Sequence, residues 1–451
     1  MDLTRAAEGQ DVKQRSRVRY WILFLLFITT TLNYADRATL SVTGTAIRGE
    51  FGFDAIRMGY IFSAFSWAYV LCQLPSGWLL DRFGARRMYS LSIFFWSVFT
   101  LVQGGIGLVG HVTSAVVAFF VLRFAVGMAE APAFPSNAKI VSNWFPVSER
   151  GTASAIFNSA QYFAPVIFTP LMAWITHSFG WEGVYMTMGV LGIALAAFFL
   201  KSMKQPEEHP GVNAAELDHI RGTGAGFTTM SGADGHSPKV GSVTLIKRLL
   251  TNRMFLGIYL AQYCVNVLTY FFLTWFPIYL MQARGMTILK AGVVASLPAV
   301  CGFLGGVLGG VISDALLRRG VSLTAARKIP IVSGMLLSTC IIGCNYVEAD
   351  WIVVALMSIS FFGKGIGALG WAVVADTSPK SAVGLSGALF NMFGNVAGIV
   401  TPIVIGYLVA ENKSFNGALV FVGINALMTM ICYLVIVKEI RPVDLSELER
   451  P

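Results

Sequence analysis

The sequence predicts an all-α integral membrane protein of twelve transmembrane helices, arranged as two pseudo-symmetric six-helix bundles with both termini on the cytoplasmic side. Three observations lead there. Hydrophobic residues make up 55% of the 451 positions and charged residues only 13%, about half the roughly 25% a soluble chain carries. Apolar runs recur from Tyr20 to Val437. A single long polar stretch, 201–253, divides those runs six and six. This pattern excludes a secreted disulfide scaffold, a nucleic-acid-binding domain and a conventional soluble enzyme. Strands of a membrane barrel would alternate in polarity over about ten residues, and no such dyad runs through the chain.

A spanning helix needs about 20 largely apolar residues, which places spans at 18–44, 58–80, 88–108, 113–137, 150–176, 182–200, 254–281, 289–313, 329–346, 350–375, 383–410 and 416–437. The domains are then a cytoplasmic tail 1–17, a first bundle 18–200, a cytoplasmic linker 201–253, a second bundle 254–437 and a cytoplasmic tail 438–451. Lys and Arg concentrate on cytoplasmic loops. Arg5, Lys13, Arg15, Arg17 and Arg19 precede span one and put it inside. Alternation then brings Arg82, Arg86, Arg87, Arg318, Arg319, Arg327 and Lys328 to the same side. Arg48, Arg57, Arg284, Lys290 and Lys413 fall opposite, so most of the net charge of +9 is a topology signal. The first run is long, follows a polar tail and lacks a small-residue cleavage site, so no cleaved signal peptide is expected. In the linker, Asn213 and Glu216 have the spacing of a capping box opening a short helix, 214–221.

All six cysteines lie inside apolar spans, where they act as small hydrophobes rather than disulfides or ligands. All five histidines lie in loops, away from any intramembrane proton path. Neither a nucleotide-binding glycine loop nor a metal cluster nor a catalytic triad is present in the pattern. The expectation is therefore no enzyme, no metal and no cofactor, with transport driven by a proton gradient.

Ionisable residues deep in a span cost at least about 2.5–3.5 kcal/mol and are paired or functional. Five stand out: Asp36, Arg37, Arg123, Glu130 and Lys364. Arg123, Gly127 and Glu130 share one face of span four. Asn33 and Arg37 stack on span one, whereas Asp36 points about 100° away and must find a partner on another helix, with Arg123 the expected one. A buried carboxylate beside an arginine is balanced between desolvation and attraction, so Asp36 and Glu130 are the candidate proton carriers. Protonating Asp36 would release Arg123 toward an anion. Arg37 offers a planar fork for a carboxylate and is the principal anchor. Lys364 sits among Gly363, Gly365 and Gly367, facing space that small residues leave. A cation in each half suits a substrate with a carboxylate at each end. Asn266 and Tyr270, four apart on span seven, add hydrogen-bonding groups. Gly302, Gly306 and Gly310, flanked by Gly305 and Gly309, form a close-packing face on span eight.

The two halves also repeat. After span two comes Gly77-Trp78-Leu79-Leu80-Asp81-Arg82-Phe83-Gly84-Ala85-Arg86-Arg87, and after span eight a looser echo, Gly310-Val311-Ile312-Ser313-Asp314 with Arg318, Arg319 and Gly320. Gly77, Asp81, Arg82, Gly84, Arg86, Arg87 and Asp314 are the candidate cytoplasmic gate, in which glycine permits close helix approach and the charges form a breakable relay. This repeat resembles the major facilitator superfamily over the whole chain. Arg123-Phe124-Ala125-Val126-Gly127 is similar to that family's Arg-x-x-x-Gly signature. Ser159-Ala160-Gln161-Tyr162-Phe163-Ala164-Pro165 departs from the Gly-Pro-rich motif of proton-coupled antiporters, which favours a symporter. Asn33-Tyr34-Ala35-Asp36-Arg37-Ala38, the stretch from Phe62 to Tyr69, Glu130-Ala131-Pro132-Ala133-Phe134-Pro135 and Phe390-Asn391-Met392-Phe393-Gly394 resemble the anion:cation symporter branch. Tyr270 through Gly310, and Phe361 through Trp371, are similar to glucarate and galactarate permeases.

The resemblance implies a proton-coupled importer of an aldarate by alternating access, in a bacterial inner membrane, working as a monomer. Its partners would be a sugar-acid anion, protons and the lipid bilayer, with no nucleic acid. It further implies Tyr34, Tyr69, Gln161, Trp371 and Asn391 as substrate hydrogen-bonding groups. Where galactonate carriers have polar side chains near the Trp segment, this chain has Ala368 and Gly370. A symporter of a sugar monoacid such as galactonate or a hexuronate is the alternative. An organophosphate antiporter would need a second arginine in span seven, where residues 254–281 have none. A non-transporting sensor would have lost the buried carboxylates.

Overall fold

The computed structural model describes residues 15–108, 112–222, 242–379 and 383–443, with the side chains of Leu74, Asp81, Val147, Ser148, Ser242 and Val243 set aside. Helices dominate, and no strand occurs among the described residues. Eleven of the helices are long and apolar enough to cross a membrane. One of them, Val147–Ser202, has 56 residues and turns at Gly180, whose φ of 81° breaks the helix. At 1.5 Å per residue it measures about 84 Å, enough for two crossings of a core about 30 Å thick. It therefore comprises spans five and six, and the twelve expected spans are all accounted for.

Most of the remaining spans run longer than the apolar windows suggested, whereas span three, at 19 residues, is shorter. Span one is Val18–Phe51, two Ala55–Phe83, three Ala85–Gln103, eight Ile288–Arg318 and eleven Val383–Asn412. Several are interrupted. Span four is Val112–Glu130, then a turn at Ala131 and Pro132, then Ala133–Trp144. Proline removes a backbone donor and obstructs the preceding turn, so Pro132 and Pro135 end the helix at Glu130. Span seven is Arg253–Thr274 continued by Phe276–Gln282; nine is Leu323–Ser338 with a tighter turn Thr339–Tyr346. Span ten stops at Ile366 and restarts as Gly370–Thr377, and twelve is Asn416–Ile431 with a wider turn Cys432–Val437.

The bundles touch along spans two and eleven, five and eight, and one and seven. The named contacts between them gather on the outer side. Ser41 Oγ donates to the Thr274 carbonyl at 2.9 Å, and Arg48 Nη1 to Gln282 Oε1 at 2.6 Å. Gly44 meets Ile278, and Gly59 lies so close to the Pro402 carbonyl that a Cβ would stand 2.6 Å from its oxygen. On the cytoplasmic side the half-helices Ala133–Trp144 and Gly370–Thr377 pack within their own bundles, and Trp78 and Trp371 are exposed. The halves are thus closed outward and parted inward.

The linker is divided between the halves. Its first helix, Ala214–Gly222, matches the expected one, and Asn213 Oδ1 accepts from the Glu216 amide at 2.9 Å as a cap should. The reciprocal arm of the box is absent. The Glu216 carboxylate, fully buried, instead accepts from Ser16 Oγ (2.5 Å), the amides of Val18 (3.1 Å) and Arg19 (3.2 Å), and Arg19 Nη1 (3.3 Å). It thereby caps the positive end of span one, whose first amides have no helical partner. Arg19 and His219 both reach Glu149 at the start of span five, at 3.2 and 2.9 Å. A second helix, Ser242–Thr251, buries Leu245 and Leu249 against the second bundle. Each half carries its own piece of the linker.

Replacing Glu216 by Ala removes the four hydrogen bonds its two oxygens accept at span one's amino end, each charge-assisted bond being worth about 1.5–3 kcal/mol. The expected result is faster tryptic cleavage at Arg221 with the spans still folded. Unchanged cleavage would mean the carboxylate does not hold the linker.

Candidate functional site

Span one brings Asn33, Tyr34, Asp36 and Arg37 to the middle of the first bundle, all but Tyr34 being buried. The Arg37 Nε donates to Glu130 Oε2 at 2.9 Å. Its guanidinium lies over three rings, Phe65 at 4.7 Å, Tyr34 at 5.0 Å and Tyr69 at 5.1 Å. Such cation–π contacts stabilise a charge removed from water and fix the plane of the fork. Its Nη2 has no hydrogen-bond partner, and neither has Glu130 Oε1.

The pairing differs from the one the sequence suggested. Asp36 makes no ion pair within 4.0 Å among the described residues; both of its oxygens accept from Thr100 Oγ1 of span three at 2.9 Å. Arg123 turns to span one's backbone, donating to the carbonyls of Asp36 (3.4 Å) and Arg37 (3.3 Å). The 100° offset between Asp36 and Arg37 was right, but it directs Asp36 to span three and leaves Arg37 facing Glu130. Which neighbour lies on each side of a helix is a packing fact that helical spacing does not encode. Gly127 makes that packing possible: a Cβ there would stand 2.2 Å from the Phe65 carbonyl oxygen.

Between the halves lies a cavity whose polar lining includes Tyr34 and Ser41 of span one, Gln161 and Tyr162 of span five, and Lys364 of span ten. Lys364 is 5% exposed. Its ammonium lies over Phe361 at 5.1 Å and Tyr162 at 5.6 Å, and no carboxylate among the described residues comes within 4.0 Å. A buried charge without a counter-charge is costly, so this cation awaits an anion. The neighbouring glycines do not leave it room, as had been expected. Cβ atoms would stand 2.3 Å from the Gly302 oxygen at Gly365, 2.4 Å from the Gly334 oxygen at Gly363, and 2.6 Å from the Met335 methyl at Gly367. Spans eight and nine thus clamp span ten from two sides and aim Lys364 at the cavity. On span eight the tight positions are Gly302, Gly305 and Gly309, whereas Gly306 has nothing nearer than 3.8 Å and Gly310 nothing within 4 Å. The close-packing face is shifted by one residue from the Gly302, Gly306, Gly310 row.

Among the other expected contacts, Tyr69 is buried under Arg37, and Tyr270 donates to Asn395 Oδ1 at 3.0 Å. Asn395 in turn donates to the Asn391 carbonyl at 2.8 Å. Asn266, Gln262 and Gly370 gather around Gly394 and Phe390. Trp371 is 55% exposed and meets Phe390 edge-on at 4.9 Å. Of the expected substrate contacts, Tyr34, Gln161 and Lys364 line the cavity; Arg37, Tyr69 and Tyr270 lie behind its wall, and Asn266, Trp371 and Asn391 form a separate set nearer the cytoplasmic mouth. Tyr162 and Thr100 were missed. Tyr162 adjoins Gln161 and was within reach of the sequence, whereas a threonine in span three carries no signal.

At the cytoplasmic ends, Arg82 lies over Trp78 at 5.3 Å and Phe83 at 5.6 Å. Gly84 has a φ of 78°, Arg87 is exposed, Gly77 has nothing within 4 Å, and Arg86 donates to the Leu200 carbonyl at 2.8 Å. The Asp81 side chain lies outside the described residues. In the second half Arg327 links Asp314 (3.5 Å), Ser313 (2.8 Å) and Asp376 of span ten (2.8 Å). Asp376 was absent from the expected gate.

The family model of the Major Facilitator Superfamily matches residues 26–344. A probable galactarate/D-glucarate transporter of Bacillus subtilis is 59% identical over 437 residues, covering 97% of this chain and 96% of the relative. One from Escherichia coli is 57% identical over 449 residues, covering 98% of each. A D-galactonate transporter of Escherichia coli is 40% identical, covering 95% of this chain and 97% of the relative. Among solved structures, an inward-facing, unoccupied bacterial homologue of the human lysosomal transporter Spinster superposes with a TM-score of 0.73 at 17% identity, covering 96% of this chain and 99% of that one. A D-xylose-proton symporter gives 0.69 at 15% identity, covering 94% and 99%.

The glycine contacts generate a contrast. Gly365→Ala and Gly305→Ala place a methyl against a backbone oxygen and should destabilise the protein by about 1–3 kcal/mol, the usual range for overpacking. Gly306→Ala should be nearly neutral. Melting of the detergent-solubilised variants checks this; equal losses at all three would contradict the geometry.

Proposed function

The chain belongs to the major facilitator superfamily and is a multi-pass membrane transporter rather than an enzyme, and on that premise we propose that it imports an aldarate, D-glucarate or galactarate, together with protons by alternating access. The observation that carries the substrate class is Lys364, a buried cation without a carboxylate partner among the described residues, at the cavity between the halves. Arg37 supplies the second anchor from the first bundle, so a diacid is held at both ends. The curated names of the relatives above half identity support the same substrate.

Charge matching supports the coupling. Three buried cations, Arg37, Arg123 and Lys364, stand against two buried carboxylates, Asp36 and Glu130, so the fully ionised centre carries one net positive charge. One proton on either carboxylate makes it two, the complement of a dianion. Protonating Glu130 frees the Arg37 fork for a substrate carboxylate, and binding thereby requires the proton. Tyr34, Gln161 and Tyr162 hydrogen-bond the sugar backbone, while Tyr69 orients Arg37. Both anchors come from one chain, so a monomer suffices, and no cofactor is required.

Uptake into reconstituted vesicles under an imposed pH gradient tests the proposal with glucarate, galactarate, galactonate and glucuronate. Asp36→Asn and Glu130→Gln should lose gradient-driven accumulation while retaining substrate exchange. Proton-driven uptake at the wild-type rate in either variant would refute its assignment as a proton carrier. Lys364→Ala should lower diacid uptake about tenfold or more, since a charge-assisted hydrogen bond is worth about 1.5–3 kcal/mol and 1.4 kcal/mol is tenfold. Monoacid uptake should be spared; equal loss of both classes in a folded variant would make Lys364 structural.

A further inference from the structure

Thirteen buried side-chain atoms among the described residues have no hydrogen-bond partner, and ten of them belong to the first bundle. They include Glu130 Oε1, Arg37 Nη2, both amide atoms of Asn33, Asn137 Oδ1 and the Tyr89 hydroxyl. Leaving such atoms unpaired is costly, and a core built for stability alone would fill these positions with apolar side chains. Their placement is ordered. Spans one and four are joined at two levels, by Arg37 Nε to Glu130 Oε2 at 2.9 Å and, toward the cytoplasm, by Asn137 Nδ2 to Thr30 Oγ1 at 3.0 Å. Asn33 lies between Thr30 and Arg37 on the same face of span one, three residues from the first and four from the second. It is 1% exposed and has neither its donor nor its acceptor engaged.

We propose that Asn33 is the resting partner of Glu130 in its neutral form: on protonation the carboxyl group leaves Arg37 and moves one helical turn to the Asn33 carboxamide. The chemistry is complementary. A carboxylic acid presents one O–H donor and one carbonyl acceptor, and a carboxamide presents the reciprocal N–H and carbonyl, so two hydrogen bonds form, O–H to Asn33 Oδ1 and Asn33 Nδ2–H to the acid's carbonyl oxygen. A carboxylate only accepts, so the charged form prefers the guanidinium. Residues four apart on a helix have Cβ atoms about 5–6 Å apart, a step that rotation of the glutamate side chain can cover. The proton comes from the aqueous cavity, remains on the Glu130 oxygen throughout the move, and returns to water when Arg37 is recaptured. Asn33 is thus a positioning residue, which converts a change of charge into a change of place and frees Arg37 only when Glu130 is neutral. The charged and titratable groups bearing on Glu130 are Arg37 and Asp36 of span one, Tyr69 of span two, Tyr89 of span three, Arg123 of its own span and Tyr270 of span seven. Among these only the Tyr89 hydroxyl also has an unengaged donor and acceptor, both on one oxygen; Asn33 alone presents them on two atoms, as the two oxygens of a carboxylic acid require.

The inference rests on the proton-coupled reading, and the two fail differently. Wild-type vesicles loaded with a pH-sensitive dye should take up D-glucarate with proton entry; uptake without proton entry would overturn the coupled reading itself. Asn33→Leu should move the pH of half-maximal uptake to the acid side by about one unit, the effect of losing hydrogen bonds to the neutral form only. At acid pH, glucarate exchange should be retained. A midpoint unchanged from wild type would overturn the role of Asn33. Should that variant not fold, infrared difference spectra on acidification of wild type and Asn33→Ser give the same decision. The protonated Glu130 carbonyl band, identified by its loss in Glu130→Gln, should shift to higher frequency without Asn33, and a band that stays in place would refute the contact.

Discussion

The ion pair between Arg37 and Glu130 is the contact on which the rest of the first bundle depends. It joins spans one and four where both charges are buried, and the energy of taking two ions out of solvent is returned only if their remaining atoms are well served. The structure serves Arg37 with three aromatic faces. Arg123 does not compete for the carboxylate, because the backbone of span one occupies its guanidinium. Asp36 does not compete for Arg37, because it points toward Thr100 on span three. Each buried charge is therefore kept apart from the wrong partner by helix geometry, and one carboxylate oxygen, Glu130 Oε1, and two guanidinium nitrogens, Arg37 Nη2 and Arg123 Nε, are left unengaged.

The second bundle treats its charge in the opposite way. Lys364 has no counter-ion among the described residues, and its support is steric and aromatic. Glycine contacts to spans eight and nine hold span ten at backbone distance, with Phe361 and Tyr162 beneath the ammonium. In a bilayer, where apolar burial gives helices little reason to associate, small residues permit the close van der Waals contact that does. The same glycines therefore account for both the packing of this bundle and the aim of Lys364, its only buried lysine among the described residues.

Much of the architecture was legible in the chain. Span number, orientation, the six-plus-six division and the linker helix follow from hydropathy, charge asymmetry and one cap, because a bilayer imposes length and polarity residue by residue. The five buried ionisable residues were equally visible, since each is an exception to that rule. What the sequence did not specify was rotation. Helical spacing gave the angle between Asp36 and Arg37 but not the neighbour each would face, and so paired Asp36 with Arg123. The same ambiguity moved the close-packing row on span eight by one residue, to Gly305 and Gly309. Partners supplied by ordinary residues, such as Thr100 and the carbonyls held by Arg123, carry no compositional mark. Glu216 was read as half of a local box because local spacing cannot reveal that a carboxylate caps a helix about two hundred residues earlier.

Spans four and ten hold the same place in their respective halves, and both break on the cytoplasmic side of their ionisable residue. Glu130 is the last residue of Val112–Glu130, and Lys364 lies in the last turn of Asp350–Ile366. The end of a helix carries roughly half a negative charge from carbonyls without intrahelical partners, an effect confined to the last turn. Set against Lys364, that field favours the ammonium and helps a cation persist without a carboxylate beside it. Set against Glu130, the same field opposes the carboxylate, leaving its charge dependent on Arg37. One structural device, repeated by pseudo-symmetry, thus acts with opposite sign in the two bundles. It secures a fixed positive charge in the second half and makes the negative charge of the first half conditional on a single arginine contact.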